Sequence, residues 1–274
     1  MNRLELARQL SAIENGDLSS QLEGDGLVIA ITGPPGIGKS CLIDCLLHKL
    51  TPEHKIAVLA VDPSSSISGG ALLGDRVRMS VLDDDSKSES IFVRSIATRS
   101  SSGSVPSIVQ SLANHLLGNG FEIVFVETVG AGQSEMRCAA ISDRIIVVEG
   151  PARGDGVQAE KAGLLELADL IVVNKCDLDG ADKVVNDLTM SLTITEEKTP
   201  ISKVSALTGE GIDDLAKSVL KIPVRLSSKR ARFREQLFMA HESKITQNPD
   251  LDSILDRMSQ EELGVEEALR RLYE

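Results

Sequence analysis

One short apolar run, Leu27-Val28-Ile29-Ala30-Ile31-Thr32, passes without a spacer into Gly33-Pro34-Pro35-Gly36-Ile37-Gly38-Lys39-Ser40, and a helical pattern takes over at once across residues 39–50. No other feature constrains the chain as tightly. An apolar run of this length reads as a buried strand, so the glycine-rich turn joins the end of a strand to the start of a helix. The glycines let successive backbone N–H groups turn inward, and the helix start adds the positive end of its dipole. The product is a phosphate cradle. In it Lys39 is expected to bridge the β- and γ-phosphates and Ser40 to ligate Mg²⁺. Residues Gly33, Pro34, Pro35, Gly36, Ile37, Gly38, Lys39, Ser40 and Cys41 are expected to line the nucleotide.

The rest of the chain repeats the alternation. Apolar runs at 56–61, 91–94, 122–126, 144–148, 170–173 and 201–204 read as strands, and helical patterns lie at 106–117, 158–167, 181–190 and 212–220. Short, wholly apolar strands alternating with helices predict an α/β fold, a phosphate-loop NTPase with a mainly parallel sheet covered on both faces. Ligands then bind along the edge formed by the strand C-terminal ends. The Ser/Gly-rich stretches 64–71 and 98–104 read either as flexible connectors or as switch segments. Beyond Pro223 the alternation stops, and a charged helical stretch runs to Glu274 with a break expected at Asn248-Pro249. The expected organisation is a short N-terminal helical extension over 1–24, a nucleotide-hydrolysing domain over 25–222 and a longer C-terminal helical tail over 223–274.

Composition narrows the partners. A net charge of −12 argues against a nucleic-acid binder, which needs clustered Lys and Arg on its phosphate-facing surface. No run approaches the roughly 20 apolar residues of a membrane span, and the N-terminus lacks a signal-peptide core, so a cytoplasmic protein is expected. Cys41, Cys45, Cys138 and Cys176 have no disulfide or zinc-ribbon spacing. Cys41, Cys45 and His48 fall on one helix face, where small buried thiols beside a solvated histidine are the expected reading rather than a metal site.

Two further motifs end strands. Asn174-Lys175-Cys176-Asp177 follows the run 170–173. The Asp177 carboxylate there is able to accept hydrogen bonds from guanine N1 and N2, a donor pair that adenine lacks, so the motif selects GTP over ATP. Ser205-Ala206, ending the last strand, adds a second loop whose N–H groups reach the base oxygen. Glu127-Thr128-Val129-Gly130 follows the run 123–126, where Glu127 is placed to hold Mg²⁺ through water and Gly130 to bring its N–H to the γ-phosphate. Asp62, ending the second strand, and Asp75, beyond the Ser/Gly-rich stretch, are the other carboxylates within reach of the metal or the attacking water. Each also fits a turn or helix cap.

The stretch Val61-Asp62-Pro63-Ser64-Ser65, then Gly69-Gly70-Ala71-Leu72-Leu73-Gly74-Asp75-Arg76 with Arg78-Met79, is more specific than a generic loop. So are Val126 to Glu135, Arg94-Ser95 and Ala97-Thr98-Arg99. Together they resemble the MeaB/ArgK family, the methylmalonyl-CoA mutase-associated GTPases of the SIMIBI class, over roughly 27–220 of the chain. The resemblance implies a GTP-hydrolysing chaperone that loads adenosylcobalamin into a B12-dependent acyl-CoA mutase and protects it. It also implies GTP, GDP and Mg²⁺ as ligands. Lys39 and Ser40 would then serve phosphate and metal; Asp62, Asp75 and Glu127 the catalytic cluster; Asn174, Lys175 and Asp177 the base. Gly154-Asp155-Gly156-Val157-Gln158 and Lys161 look like the family's segment that signals to the mutase, and the C-terminal tail looks like its homodimerising region. A metallochaperone of the same class and an ATP-dependent kinase are the alternative readings.

Overall fold

The computed structural model describes residues 2–18, 24–63, 79–83, 90–98, 105–128, 137, 140–151, 164–192 and 199–273. Its centre is a seven-stranded sheet in which every pairing is parallel: β1 (Leu27–Thr32), β2 (Ile56–Pro63), β3 (Ile91–Thr98), β4 (Ile123–Glu127), β5 (Arg144–Glu149), β6 (Leu170–Val173) and β7 (Ile201–Lys203). The strand order is β3-β2-β4-β1-β5-β6-β7, so the chain runs out through β2 to β3 on one side of β1, returns to set β4 between β2 and β1, and then runs outward on the other side through β5, β6 and β7. That reversal opens a crevice at the C-terminal end of β1, where the glycine-rich loop begins.

The period of two along β1 sorts its side chains. Ile29 and Ile31 join a core with Leu42, Ile43, Leu46 and Leu47 of α2 (Lys39–Leu50) and with Leu215 and Val219 of a later helix (Ile212–Val219, α5 below). Val28 faces the opposite layer, packing with α1 (Arg3–Asn15) and α3 (Val105–Gly118). Ala30 meets Val147 and Val173 beneath α4 (Ala181–Leu192). Each fully buried Ile or Leu contributes about 1.5–3 kcal/mol, and the sheet is sealed on both faces.

α1 is capped at both ends: Asn2 Oδ1 accepts from Leu4 N–H at 3.0 Å, and Gly16 closes the helix with φ +79°. Leu6, Leu10 and Ile13 repeat at helical spacing and are buried. Polar contacts add a second hold. Arg94 on β3 donates to Ala7 O at 3.2 Å, to Ser11 Oγ at 3.0 Å and to Glu14. The N-terminal helix is therefore packed into one core with the sheet and α3.

His115 of α3 lies 2.9 Å from Gln9 Oε1 through Nε2, while Nδ1 is buried without a hydrogen-bond partner among the described residues. Burial holds its pKa below the usual histidine range. Below the unfolded value near 6.5 the unfolded chain takes up the proton that the folded chain refuses. Stability is thus expected to fall as pH drops from about 6.5 toward the folded pKa. His115→Gln should flatten that part of the pH profile, read as the urea midpoint at pH 7.5 and pH 5.5.

At the other end, α5 (Ile212–Val219) is followed by α6 (Leu226–Thr246), α7 (Leu251–Ser259) and α8 (Val265–Tyr273). The expected break at 248–249 lies between α6 and α7, where Asn248 Oδ1 accepts from Asp250 N–H at 2.9 Å. α6 is bolted to the sheet by a buried charge. Asp169, just before β6, accepts from Ser228 Oγ at 2.5 Å, from Arg232 at 3.1 Å and from Ile145 N–H at 3.0 Å. Arg232 also donates to Asp143 O at 2.6 Å, and burial lowers its pKa against the opposing pull of Asp169. Breaking such a fully bonded buried pair costs about 3–5 kcal/mol. Past Ile245 a separate small core forms from Leu251, Ile254, Met258, Leu263, Ala268 and Leu272.

Candidate functional site

The phosphate end of the site is built by β1, the loop after it and α2. Gly38, the N-cap of α2, has φ +96°, and a Cβ there would stand 2.5 Å from Asn174 Nδ2, so only glycine fits. Lys39 is buried, and its Nζ donates to Gly33 O at 2.8 Å and Pro34 O at 3.1 Å, two loop acceptors standing where phosphate oxygens would compete. Ser40 Oγ donates to Glu127 Oε1 at 2.7 Å, joining the first turn of α2 to the last residue of β4. Glu127 is buried. Two more hydroxyls belong to the same strand ends: those of Thr32 and Thr128 are buried and have no hydrogen-bond partner among the described residues. This all-oxygen donor set suits a hard divalent cation.

The base end is assembled at the ends of β5, β6 and β7. Asn174 is buried, and both ends of its amide are used within the protein: Nδ2 donates to Ile37 O at 2.9 Å, and Oδ1 accepts from Ala206 N–H at 3.0 Å. Its backbone N–H donates to Glu149 O at 2.8 Å. The asparagine therefore ties the phosphate loop to the loop after β7. Lys175 takes a left-handed φ of +61°, unusual for a residue with a Cβ, and its Nζ donates to Gly36 O at 2.9 Å. Asp177 alone of the motif's polar side chains is exposed. Ser205 is buried, its Oγ accepting from Thr208 N–H at 3.1 Å, which shapes the turn that presents Ala206.

One residue went unnoticed in the sequence. Gly150, directly after β5, lies so close that a Cβ would stand 2.6 Å from Asn174 O and 2.8 Å from Ile37 Cδ1. Its signal is a glycine placed straight after an apolar strand, as Gly33 is placed after β1. Two of the thiols are held away from thiolate chemistry. Cys45 donates to Ala206 O at 3.3 Å, and burial raises the pKa of both Cys45 and Cys176, keeping them protonated and unreactive. Among the described residues no three His, Cys, Asp or Glu side chains gather to hold a metal. Asp62 sits on β2 opposite Ala97, at the same sheet edge as Glu127. Asp75, Gly130 and the stretch 154–161 lie outside the described residues.

Comparisons with known proteins agree with this geometry. The methylmalonyl Co-A mutase-associated GTPase MeaB family matches residues 11–260. A Pyrococcus horikoshii protein that carries a GTPase name is 39% identical over 230 residues, covering 78% of this chain and 72% of its own. The mouse methylmalonic aciduria type A homolog, mitochondrial, is 35% identical over 219 residues, covering 77% of this chain and 52% of its own, so the chain spans about half of the mouse protein. A crystal structure of LAO/AO transport system kinase shares the fold, with a TM-score of 0.62 at 23% identity over 100% of this chain and 98% of the other. With a family match over nearly its whole length laid on a parallel sheet whose first strand ends in a glycine-rich loop, this chain belongs to the MeaB family of P-loop GTPases.

Proposed function

We propose that this GTPase is a chaperone that assists adenosylcobalamin loading and protection of a B12-dependent acyl-CoA mutase of the methylmalonyl-CoA mutase type. The observation that carries the reading is the match over residues 11–260 to a family described as mutase-associated. The cytoplasm is the compartment we assign. Within the described residues no helix is long and apolar enough to cross a membrane.

The chemistry follows from the site. Ser40, and Glu127 through water, would hold Mg²⁺, which when bound would supply positive charge against the phosphates. Lys39 and the N–H groups of the loop stabilise the charge that develops as water attacks in line, and Asp62 or Asp75 orients that water. Gly130 would bring its N–H to the γ-phosphate. Among the described residues no arginine finger or glutamine falls at the site, and we expect a slow basal turnover that the partner accelerates by ordering the switch segments.

The tail, 223–274, is the dimerising unit. Leu226, Phe233 and Leu237 of α6 are 74%, 53% and 71% exposed, lie on one stripe at spacings of seven and four, and point away from the buried Ser228 and Arg232. That spacing is the seam of a helix pair, and a second copy of the chain supplies the matching seam.

The test mixes the full chain with an adenosylcobalamin-dependent methylmalonyl-CoA mutase. We expect GTP hydrolysis to rise by about tenfold or more, as ordering of a switch allows, and loss of mutase activity during turnover to slow. A GTPase rate indifferent to the mutase, with no complex on gel filtration in GDP or a non-hydrolysable GTP analogue, rules the partner out.

A further inference from the structure

α2 carries the phosphate-binding pair in its first turn and a second, separate anchor one turn later. The Asp44 carboxylate takes three donors from a distant part of the chain. Oδ2 accepts from Ser80 N–H at 3.2 Å and from Ser80 Oγ at 2.8 Å, and Oδ1 accepts from Val81 N–H at 3.0 Å. His48, one turn further along α2, reaches Ser80 Oγ with Nε2 at 3.0 Å. A 3₁₀ turn, Ser80–Asp83, starts at this point, so Asp44 caps it from outside and satisfies N–H groups that have no partner within the turn. Met79 and Val81 on either side of Ser80 are buried in the α2 core. The chain is thus pinned here by two apolar plugs and one carboxylate.

We propose that Asp44 is a positioning residue for GTP hydrolysis, holding the chain at Ser80 and Val81 at a set distance from Lys39 and Ser40. The ruler is α2 itself: four residues from Ser40 to Asp44 rise about 6 Å along the axis. Four residues of chain, at most about 14 Å, separate Met79 from Asp75. A shift at Ser80 is therefore a shift at the root of the segment that bears this carboxylate. The inference rests on the reading of that segment as catalytic.

Three features favour positioning over general stability. The clamp sits on the helix that begins at the phosphate loop rather than on a remote element. Its acceptor is a charge receiving main-chain donors, the geometry that fixes a backbone most firmly. It also adds a directional hold at a point where Met79 and Val81 already supply the apolar burial.

The experiment measures single-turnover GTP hydrolysis and the Kd of a fluorescent GDP for the full chain, for Asp44→Ala, Asp44→Asn, Ser80→Ala and the Asp44→Ala/Ser80→Ala double variant, with Asp75→Ala alongside. Misplacement of this kind costs hydrolysis about tenfold to a hundredfold, so Asp44→Ala should lose that much while its Kd for GDP stays within about threefold. Asp44→Asn, which keeps one acceptor oxygen but turns an amide donor toward a donor, should fall between. Ser80→Ala should lose less, since Asp44 keeps both main-chain donors, and the double variant should lose less than the sum of the two because they share the Ser80 Oγ–Asp44 contact. Unchanged hydrolysis in Asp44→Ala overturns the proposal, and so does a parallel loss of hydrolysis and GDP affinity, which means a damaged phosphate loop. If Asp75→Ala hydrolyses normally, the reading of that segment as catalytic falls and the proposal with it, whereas a slow Asp75→Ala beside a normal Asp44→Ala overturns the proposal alone.

Discussion

Lys39→Ala is expected to lower single-turnover GTP hydrolysis by about 10²–10³-fold, the usual cost of removing one preorganised donor aimed at transition-state charge. Lys39 is buried and already aimed: its Nζ is held by Gly33 O and Pro34 O on the wall of the phosphate cradle, and no rotamer search is needed when a phosphate replaces them. The ammonium stabilises the loose transition state of phosphoryl transfer more than the ground state, so the loss should appear chiefly in the chemical step. Circular dichroism and the thermal midpoint should stay near those of the parent protein, because the core of Ile31, Leu42, Ile43 and Phe125 beneath the loop is untouched. Full hydrolysis in a folded Lys39→Ala would remove this lysine from the mechanism.

What could be read from the sequence, and what could not, divides along the range of the interactions. The buried strands were legible because a strand covered on both faces needs apolar residues at every position, and β1 and β6 have the predicted limits. β2 and β3 run further than their apolar stretches. Asp62 pairs with Ala97 and Pro63 with Thr98, and strand ends bearing polar residues leave no apolar trace. Glu127 likewise belongs to β4 itself rather than to the turn after it. The motif Asn174-Lys175-Cys176-Asp177 was legible as a loop at a strand end, but Asn174 turns out to spend its amide on Ile37 and Ala206, a contact spanning 137 residues of chain in one direction. Local pattern carries no information about such a pairing. The charged stretch of α6 misleads in the same way: Arg225 and Arg232 look like surface residues, and they are buried because Asp169 and the carbonyls of Ala168 and Asp143 await them.

Asp177→Asn is the sharper probe of the base site, since it changes which nucleotide the chain prefers. The carboxylate is exposed at the end of β6, on a loop that Asn174 and Lys175 fix to the phosphate loop through Ile37 O and Gly36 O. In that position it is expected to accept from guanine N1–H and N2–H. Each hydrogen bond to a charged group is worth about 1.5–3 kcal/mol. At about 1.4 kcal/mol per tenfold, losing both raises the Kd for GTP by roughly 10²–10⁴. Asparagine restores one acceptor and presents a donor, which meets guanine's N2 amine donor to donor. Xanthine has a carbonyl oxygen at that carbon and keeps N1–H, so XTP should bind Asp177→Asn better than GTP does, reversing the order of the parent protein. Adenine offers an N1 lone pair to the Asp177 carboxylate, so ATP should fail to displace GTP from the parent chain. The measurement is a competition titration of GTP, XTP and ATP against a fluorescent guanine nucleotide on both proteins. If ATP competes with GTP on equal terms in the parent, Asp177 does not read the base, and the ATP-dependent kinase reading returns. If Asp177→Asn loses GTP and XTP alike while Asn174→Ala loses them equally, the residue holds the loop as Asn174 does, and base selection lies elsewhere.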